Sequence, residues 1–411
     1  MNKNLTRTNI PADLSRRNFL CGGAAMVSTM IVAPNLVRGA EANSKISLGL
    51  IGCGSRGSWI AGLFKAHGGY DIVACADYFQ DKVDACGEKL GIDPSRRYTG
   101  LNCYKKLLEG KLDAVAIESP PCFHPEQAAA AVDAGKHVYL AKPAGVDVPG
   151  CRTVGESGRK ATEKKLAFLV DFQHRTDSFY QETVKRLHAG AIGKITFGEA
   201  FNHTGPYGHV QAEPGTPEAR LRNWLFHKAL SGDYLVEINI HTLDVMNWMF
   251  QKPPLHAFGA AGTKSKMEAG DNSDYCGLLF QYDDNVPVIF TSKRYKDGAG
   301  EHDKHLIVQV YGTEGRVETK YGGKVMILGK NYYAGGSNGS LYKDGAINNI
   351  AAFHKQITGG DFSNPTVEPS VQSNLIAIMG RTAAYQRRVV TWDEIKNSNE
   401  KMDLQLDGLK G

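Results

Sequence analysis

The sequence predicts an α/β N-terminal region, built as a doubly wound parallel sheet, and a C-terminal α+β region with a large, mostly antiparallel sheet. Three observations predict it. An apolar run over 46–51 ends in Gly52-x-Gly54-x-x-Gly57, and Trp59, Ile60, Leu63 and Phe64 then recur at helical spacing, which reads as strand, tight turn and helix. Apolar runs and helical segments alternate from there to Val170. Beyond Lys194 short apolar stretches are instead separated by turn signals such as Asp283-Asp284-Asn285 and Gly312-Thr313-Glu314-Gly315.

At 411 residues the chain exceeds one ordinary domain, and its 42% apolar and 22% charged residues describe a soluble globular protein. Of the formal charge of +5, residues 1–42 hold +3, through Lys3, Arg7, Arg16, Arg17 and Arg38 against Asp13 and Glu41. The rest argues for neither nucleic acid nor an anionic membrane as partner. Ser15-Arg16-Arg17-Asn18-Phe19-Leu20, a weakly apolar stretch over 21–37 and Ala40-Glu41-Ala42 match a twin-arginine export signal. Glycines, serine and proline interrupt that stretch, which argues against a permanent membrane anchor. The expectation is a periplasmic protein, handled by the twin-arginine export machinery and cleaved near Ala42. The eight cysteines form no C-x-x-C and read as reduced core residues, with no metal or disulfide framework. The expected organisation is a signal over 1–42, a first domain over 43–170, a second over 171–396 and a tail over 397–411.

The opening strand, turn and helix carry a dinucleotide-binding pattern. One glycine permits the turn, one lets the backbone approach a pyrophosphate, and one lets helix and strand pack closely. The free N–H groups opening the helix, at Ser55, Arg56 and Gly57, face the phosphates, where the helix dipole favours negative charge. A second apolar run, Ile72-Val73-Ala74-Cys75-Ala76, ends at Asp77, twenty positions after Gly57. A carboxylate there accepts both hydroxyls of an adenosine ribose and repels a 2′-phosphate, which points to NAD over NADP. The plainer reading of Asp77 is a helix N-cap or turn residue.

Helices are expected over 81–90 and 104–108, then a strand, Asp113-Ala114-Val115-Ala116-Ile117, followed by Ser119-Pro120-Pro121-Cys122-Phe123-His124-Pro125. A helix over 127–134 closes at Gly135, and Lys136-His137-Val138-Tyr139-Leu140 runs as a strand into Ala141-Lys142-Pro143. Ligands of such sheets bind beyond the carboxyl ends of the strands, where Ser119, Pro120, His124 and Lys142 lie. In this order the glycine loop, the strand-end Asp, S-P-P-x-x-H, A-G-K-H-V and K-P resemble the Gfo/Idh/MocA oxidoreductase family, over residues 45–395. The resemblance implies a Rossmann first domain and gives Lys142 the part of the E-K-P lysine, which reaches the nicotinamide ribose and the reacting hydroxyl. The preceding Glu of that motif is Ala141 here, so any electrostatic support from it is absent. His124 reads as a residue against the nicotinamide or as a helix cap.

A strand over 166–170 is followed by Gln173-His174-Arg175. The resemblance places Arg175 near the site, whereas its residue type reads equally as an interdomain ion pair. A helix over 180–188 leads to a strand over 194–201, and segments near 255–264, 275–282, 286–294, 305–311 and 315–328 complete the second sheet. One face of that sheet is expected under helices; the other, as the resemblance implies, is an oligomer interface. Helices over 346–358 and 370–387 close the chain, the second packing back onto the first domain, and the tail reads as surface chain.

The chemistry is expected between Ser231 and Trp248. Apolar residues at 235, 236, 240, 243, 245, 246 and 249 fit one buried helix. Glu237, His241 and Asp244 share its other face at i, i+4 and i+7, so that Glu237 can orient the imidazole. Against the family pattern G-G-G-x-x-x-D-x-G-x-H-x-x-D, Asp233 stands in the glycine run, Glu237 replaces Asp and Asn239 replaces Gly. Lys142, His241 and Glu237 form the expected catalytic group, with Arg175, Asp244, Tyr207 and Trp224 toward the substrate. The last two lie in an insertion over 202–224 that suits stacking on a sugar ring or, alternatively, an oligomer contact. His241 with Lys142 would move the proton of a secondary alcohol while its hydride passes to NAD. The resemblance supplies a sugar, glycoside or polyol as substrate. A redox-assisted glycosidase or epimerase, and a non-catalytic sugar-binding relative, are the other readings. Twin-arginine substrates cross the membrane folded into a compartment poor in free NAD, so a tightly held cofactor is expected.

Overall fold

The computed structural model describes residues 45–264, 269–296 and 305–411; the expected export signal lies outside them. The first sheet has six parallel strands, β1 (Ile46–Ile51), β2 (Tyr70–Asp77), β3 (Arg97–Thr99), β4 (Ala114–Ile117), β5 (His137–Ala141) and β6 (Phe168–Asp171). Helices α1 (Ser55–His67), α2 (Gln80–Leu90), α3 (Cys103–Glu109), α4 (His124–Asp133) and α5 (Val148–Glu163) connect them. The order β3-β2-β1-β4-β5-β6 changes direction between β1 and β4, and such a switch point opens a crevice at the carboxyl ends of the strands. All four residues of β4 are buried, as a strand covered on both faces requires.

Helix α5 has no counterpart in the sequence reading, which runs from Pro143 to Leu166 without an element. Gly150, Gly155 and Gly158 hide it by lowering helix propensity. Tertiary support restores it: the Asp147 carboxylate accepts the Gly150 N–H at 2.8 Å, and α5 packs on α12 (Val367–Gln386).

After β6, α6 (Ser178–His188) leads into β7 (Ile195–His203), then α7 (Pro217–Arg222), α8 (Lys228–Ser231), α9 (Tyr234–Glu237) and α10 (Ile240–Phe250). Strands β8 (His256–Gly262), β9 (Tyr275–Gln281), β10 (Pro287–Lys293), β11 (His305–Gly312), β12 (Gly315–Lys320), β13 (Lys324–Gly329) and β14 (Tyr333–Ser337) follow. Helix α11 (Leu341–Gly359) then precedes α12, β15 (Val390–Thr391) and α13 (Trp392–Lys396). The nine-stranded sheet runs β14-β13-β12-β11-β7-β10-β9-β8-β15 and is antiparallel except where β7 meets β10. Its inner face, with Phe280, Phe290, Val308 and Val310, buries against Leu243 and Met246 of α10 and Ile376 and Ala377 of α12. Each large apolar side chain so buried contributes roughly 1.5–3 kcal/mol. Phe197, Phe258, Leu279 and Ile289 stay exposed.

The tail is more than surface chain. Met402, Leu404, Leu406 and Leu409 are half-buried between exposed neighbours. The Met402 N–H donates to Asp147 at 2.9 Å, Leu404 C=O accepts from Arg220 at 3.0 Å, and Lys410 C=O accepts from the Leu101 N–H at 3.0 Å. Among the described residues no helix is long and apolar enough to cross a membrane.

Candidate active site

The glycine loop is built by sterics. Gly52 holds φ +96°, and a Cβ there would lie 2.5 Å from the backbone of Glu118 and Ser119. At Gly57 a Cβ would lie 1.8 Å from the Gly52 carbonyl oxygen, so helix and strand meet only without a side chain. A Cβ on Gly54 would meet nothing within 4 Å, which leaves the backbone open to an incoming group. The first turn of α1 has N–H groups without intrahelical acceptors, and Ser55, Arg56 and Gly57 line the same cavity as Gly54. These features fit a pyrophosphate.

Asp77, at the tip of β2, lines that cavity too. Its two oxygens each take one backbone N–H, from Cys53 at 2.8 Å and Phe79 at 3.0 Å. Burial raises its pKa, and those two bonds oppose the rise. It is therefore a turn residue that locks the glycine loop, and each oxygen keeps a lone pair for a ribose hydroxyl.

Arg56 offers its backbone to the loop, but its guanidinium points elsewhere. Nε lies 3.0 Å from Glu118, another nitrogen contacts Asp171, and a third donates to the Tyr342 hydroxyl at 2.7 Å. Ser119 donates through Oγ to Gln127 at 2.5 Å. His124 is buried, with Nδ1 2.7 Å from the Pro143 carbonyl and Nε2 2.8 Å from that of Ser119. Burial pulls its pKa down to about 4 against those two carbonyls, so the ring is neutral. It clamps the β4 end to the β5 end, a positioning role that neither sequence reading anticipated. Pro120 sits half-buried on the cavity wall between them.

Lys142, at the end of β5, is buried and donates to the Glu237 carbonyl at 2.5 Å and to its carboxylate at 3.0 Å. Burial raises the Glu237 pKa and Lys142 opposes it. The single helix expected over 235–249 is two, α9 and α10, broken at Ile238 and Asn239. The break turns Glu237 to Lys142, so it does not orient His241. His241 is half-buried beside Tyr321, His174 and Phe172, and its Nδ1 has no protein partner. Burial first, then the Lys142 charge, lowers its pKa well below that of a free imidazole, so it is held neutral. Asp233, upstream of α9, adopts φ +77°, a conformation costing a non-glycine residue about 1–3 kcal/mol. Bonds from the Leu235 and Ser273 N–H groups and from the Ser273 and Tyr385 hydroxyls offset that cost.

Two expected substrate residues are placed differently. Asp244 is fully buried: it accepts two bonds from Arg175, at 2.7 and 2.8 Å, and one each from His174 and the Ser373 hydroxyl. Burial alone would raise its pKa, but Arg175 and His174 hold it well below the carboxylate range. Arg175 is thus spent on an internal ion pair and stacks over Trp248, 5.2 Å from the ring centre. Tyr207 and Trp224 both line the cavity of the glycine loop and Asp77, not a separate sugar pocket. Their insertion is anchored over it by Arg222, which reaches Asp81 at 2.7 and 3.1 Å and lies 3.9 Å over the Phe79 ring. Tyr78 donates to Glu218 at 3.1 Å and accepts the Lys410 N–H at 3.3 Å, so insertion and tail meet there. The anchors Arg220 and Arg222 were visible as a basic pair in the insertion, but only their partners reveal their use. The resulting cavity, about 460 Å³, runs from Asp77 past the glycine loop to Lys142 and Glu237.

A family model described as an oxidoreductase family with an NAD-binding Rossmann fold matches residues 46–171, and the C-terminal-domain model of the same GFO/IDH/MocA group matches 180–318. The chain is 22% identical over 251 residues to scyllo-inositol 2-dehydrogenase (NAD(+)) of Bacillus subtilis, covering 61% of this chain and 66% of that one. It is 22% identical over 368 residues to myo-inositol 2-dehydrogenase of Thermotoga maritima, covering 85% and 99%. Several other curated relatives are matched over 44–55% of their own length. Levoglucosan dehydrogenase, solved with NADH and levoglucosan, shares the fold at a TM-score of 0.68 and 16% identity, covering 85% of this chain and 99% of that one.

Proposed function

Because the chain belongs to the Gfo/Idh/MocA oxidoreductases, we propose that it is an exported, NAD-retaining enzyme that moves a hydride at a secondary hydroxyl of a sugar, glycoside or cyclic polyol. The observation that carries this reading is the continuous cavity from Asp77 and the glycine loop to Lys142 and Glu237. Bound NAD supplies a hydride acceptor in its pyridine ring. The Asp77 carboxylate favours a free ribose over a 2′-phosphate. His241, held neutral, takes the hydroxyl proton, while the Lys142 ammonium, fixed by Glu237, steadies the developing alkoxide. Inositol dehydrogenases among the relatives, and levoglucosan in the fold neighbour, support the substrate class.

The insertion and tail, both tied to Tyr78 at the cavity mouth, support slow release of the nucleotide. Protein purified without added nucleotide is expected to contain NAD(H), and a panel of glycosides and polyols should turn one of them into a ketone with bound NADH. A released aglycone without net reduction would favour the redox-assisted glycosidase instead; an empty, non-binding site would refute both. Ending the chain after Ser398 is expected to speed nucleotide release by about tenfold or more, the equivalent of losing one or two hydrogen bonds. An unchanged release rate would remove the tail from retention. The twin-arginine pattern in the sequence supports a periplasmic location as part of this proposal, and the apolar outer face of the nine-stranded sheet suits a homo-oligomer contact.

A further inference from the structure

Three strand ends line up beneath the cavity. Ile117 pairs with Leu140 and Ala141 pairs with Asp171, so the residue that follows β4, Glu118, falls beside Ala141. In-register neighbours on parallel strands share a face, and the row across β4, β5 and β6 reads Glu118, Ala141, Asp171. Arg56 contacts both carboxylates, so its guanidinium spans the place where Ala141 offers only a methyl. Both carboxylate side chains are fully buried.

The two acids are not equivalent. Asp171 also accepts from Asn349 at 2.6 Å and Gln173 at 2.9 Å, and it is absent from the cavity lining. Glu118 borders the cavity with its carboxylate fully covered beneath the wall, and neither of its oxygens has a hydrogen-bond partner beyond the Arg56 ion contact. Strand order puts Asp77 of β2 at one side of the glycine turn and Glu118, just past β4, at the other, toward Lys142. We propose that Glu118 is a positioning residue for the nicotinamide half of the dinucleotide, holding negative charge beneath the ring and so favouring its oxidised, cationic form. The inference rests on the NAD reading above.

Burial raises Glu118 to about 7, with Arg56 and Lys142 opposing and Asp171 adding to the rise. The groups around it are Arg56 from α1, Lys142 and Tyr139 from β5 and its end, and Asp171 from β6. Lys142 is itself paired with Glu237. With Glu118 ionised, the Arg56, Glu118 and Asp171 cluster carries one net negative charge; with Glu118 protonated it carries none. Preference for the oxidised ring therefore grows as pH rises through about 7.

Redox titration of the holoprotein, followed by absorbance of the reduced ring, tests this. Glu118→Gln is expected to lower the preference for oxidised over reduced nucleotide about tenfold, an upward shift of about 30 mV at two electrons. Its preference should no longer change between about pH 6 and 8 beyond that of free nucleotide. The double variant Glu118→Ala/Ala141→Glu, which returns a carboxylate one strand away, should recover most of the shift and serves if the Gln variant fails to fold. Bound nucleotide with an unshifted ratio in the folded variants overturns the inference and leaves the NAD reading standing. A wild-type protein that binds no pyridine nucleotide overturns both.

Discussion

Replacing His241 with alanine is expected to cut hydride transfer by about 10²–10⁴-fold while the dinucleotide stays bound. The imidazole lies outside the cavity lining that carries the glycine loop, so nothing in the nucleotide's cradle changes. On the proposed mechanism, what is lost is the base, an imidazole kept neutral by burial and by the neighbouring Lys142 charge. The depressed pKa has a signature: the acid limb of the oxidation rate should fall below pH 6.5, the ordinary histidine value, and vanish in the variant. Stopped-flow absorbance of NADH with equilibrium nucleotide binding measures both. Full activity in the variant would take His241 out of the mechanism. Burial also affects stability at His124: its folded pKa, about 4, lies below the unfolded value, so the unfolded chain binds the extra proton. Its contribution is intact above pH 6.5 and is lost as pH falls from there toward 4.

Replacing Asp244 with alanine is expected to destabilise the protein by about 3–5 kcal/mol, because Arg175 and His174 would be left in the interior without their shared acceptor. The same group makes an acid-sensitive contribution. A carboxylate held below its unfolded pKa stabilises at neutral pH and ceases to as pH falls through the folded value. Urea unfolding of wild type and variant, with KM determined on the protein that remains folded, separates the two roles assigned to this residue. A large loss of stability with KM unchanged fits the buried ion pair. A raised KM at unaltered stability would return Asp244 to the substrate site.

The parallel sheet was legible because its signals are local. An apolar strand, a glycine turn and a helical repeat follow each other within about twenty residues, and each is recognisable from residue type alone. The same holds for the placing of Asp77, Ser119 and Lys142 at strand ends. Helix α5 was hidden because its three glycines lower propensity while its stability comes from Asp147 and α12. The helix carrying Glu237 and His241 looked continuous because the apolar positions 235 and 236 before the break and 240 and 243 after it keep helical spacing across Ile238 and Asn239, where the backbone breaks.

Residue type and spacing thus fixed the layered β/α architecture, the nucleotide loop and the candidate lysine and histidine, since these depend on periodicity and on the steric demands of single glycines. Partner choice came only from the folded chain. Which acid faces Lys142, which arginine is spent inside, and where the insertion and tail lie depend on side chains up to hundreds of positions apart, as with Arg56 and Tyr342. Ionic and hydrogen-bond pairing is decided by distance and burial in three dimensions, and a linear pattern encodes neither.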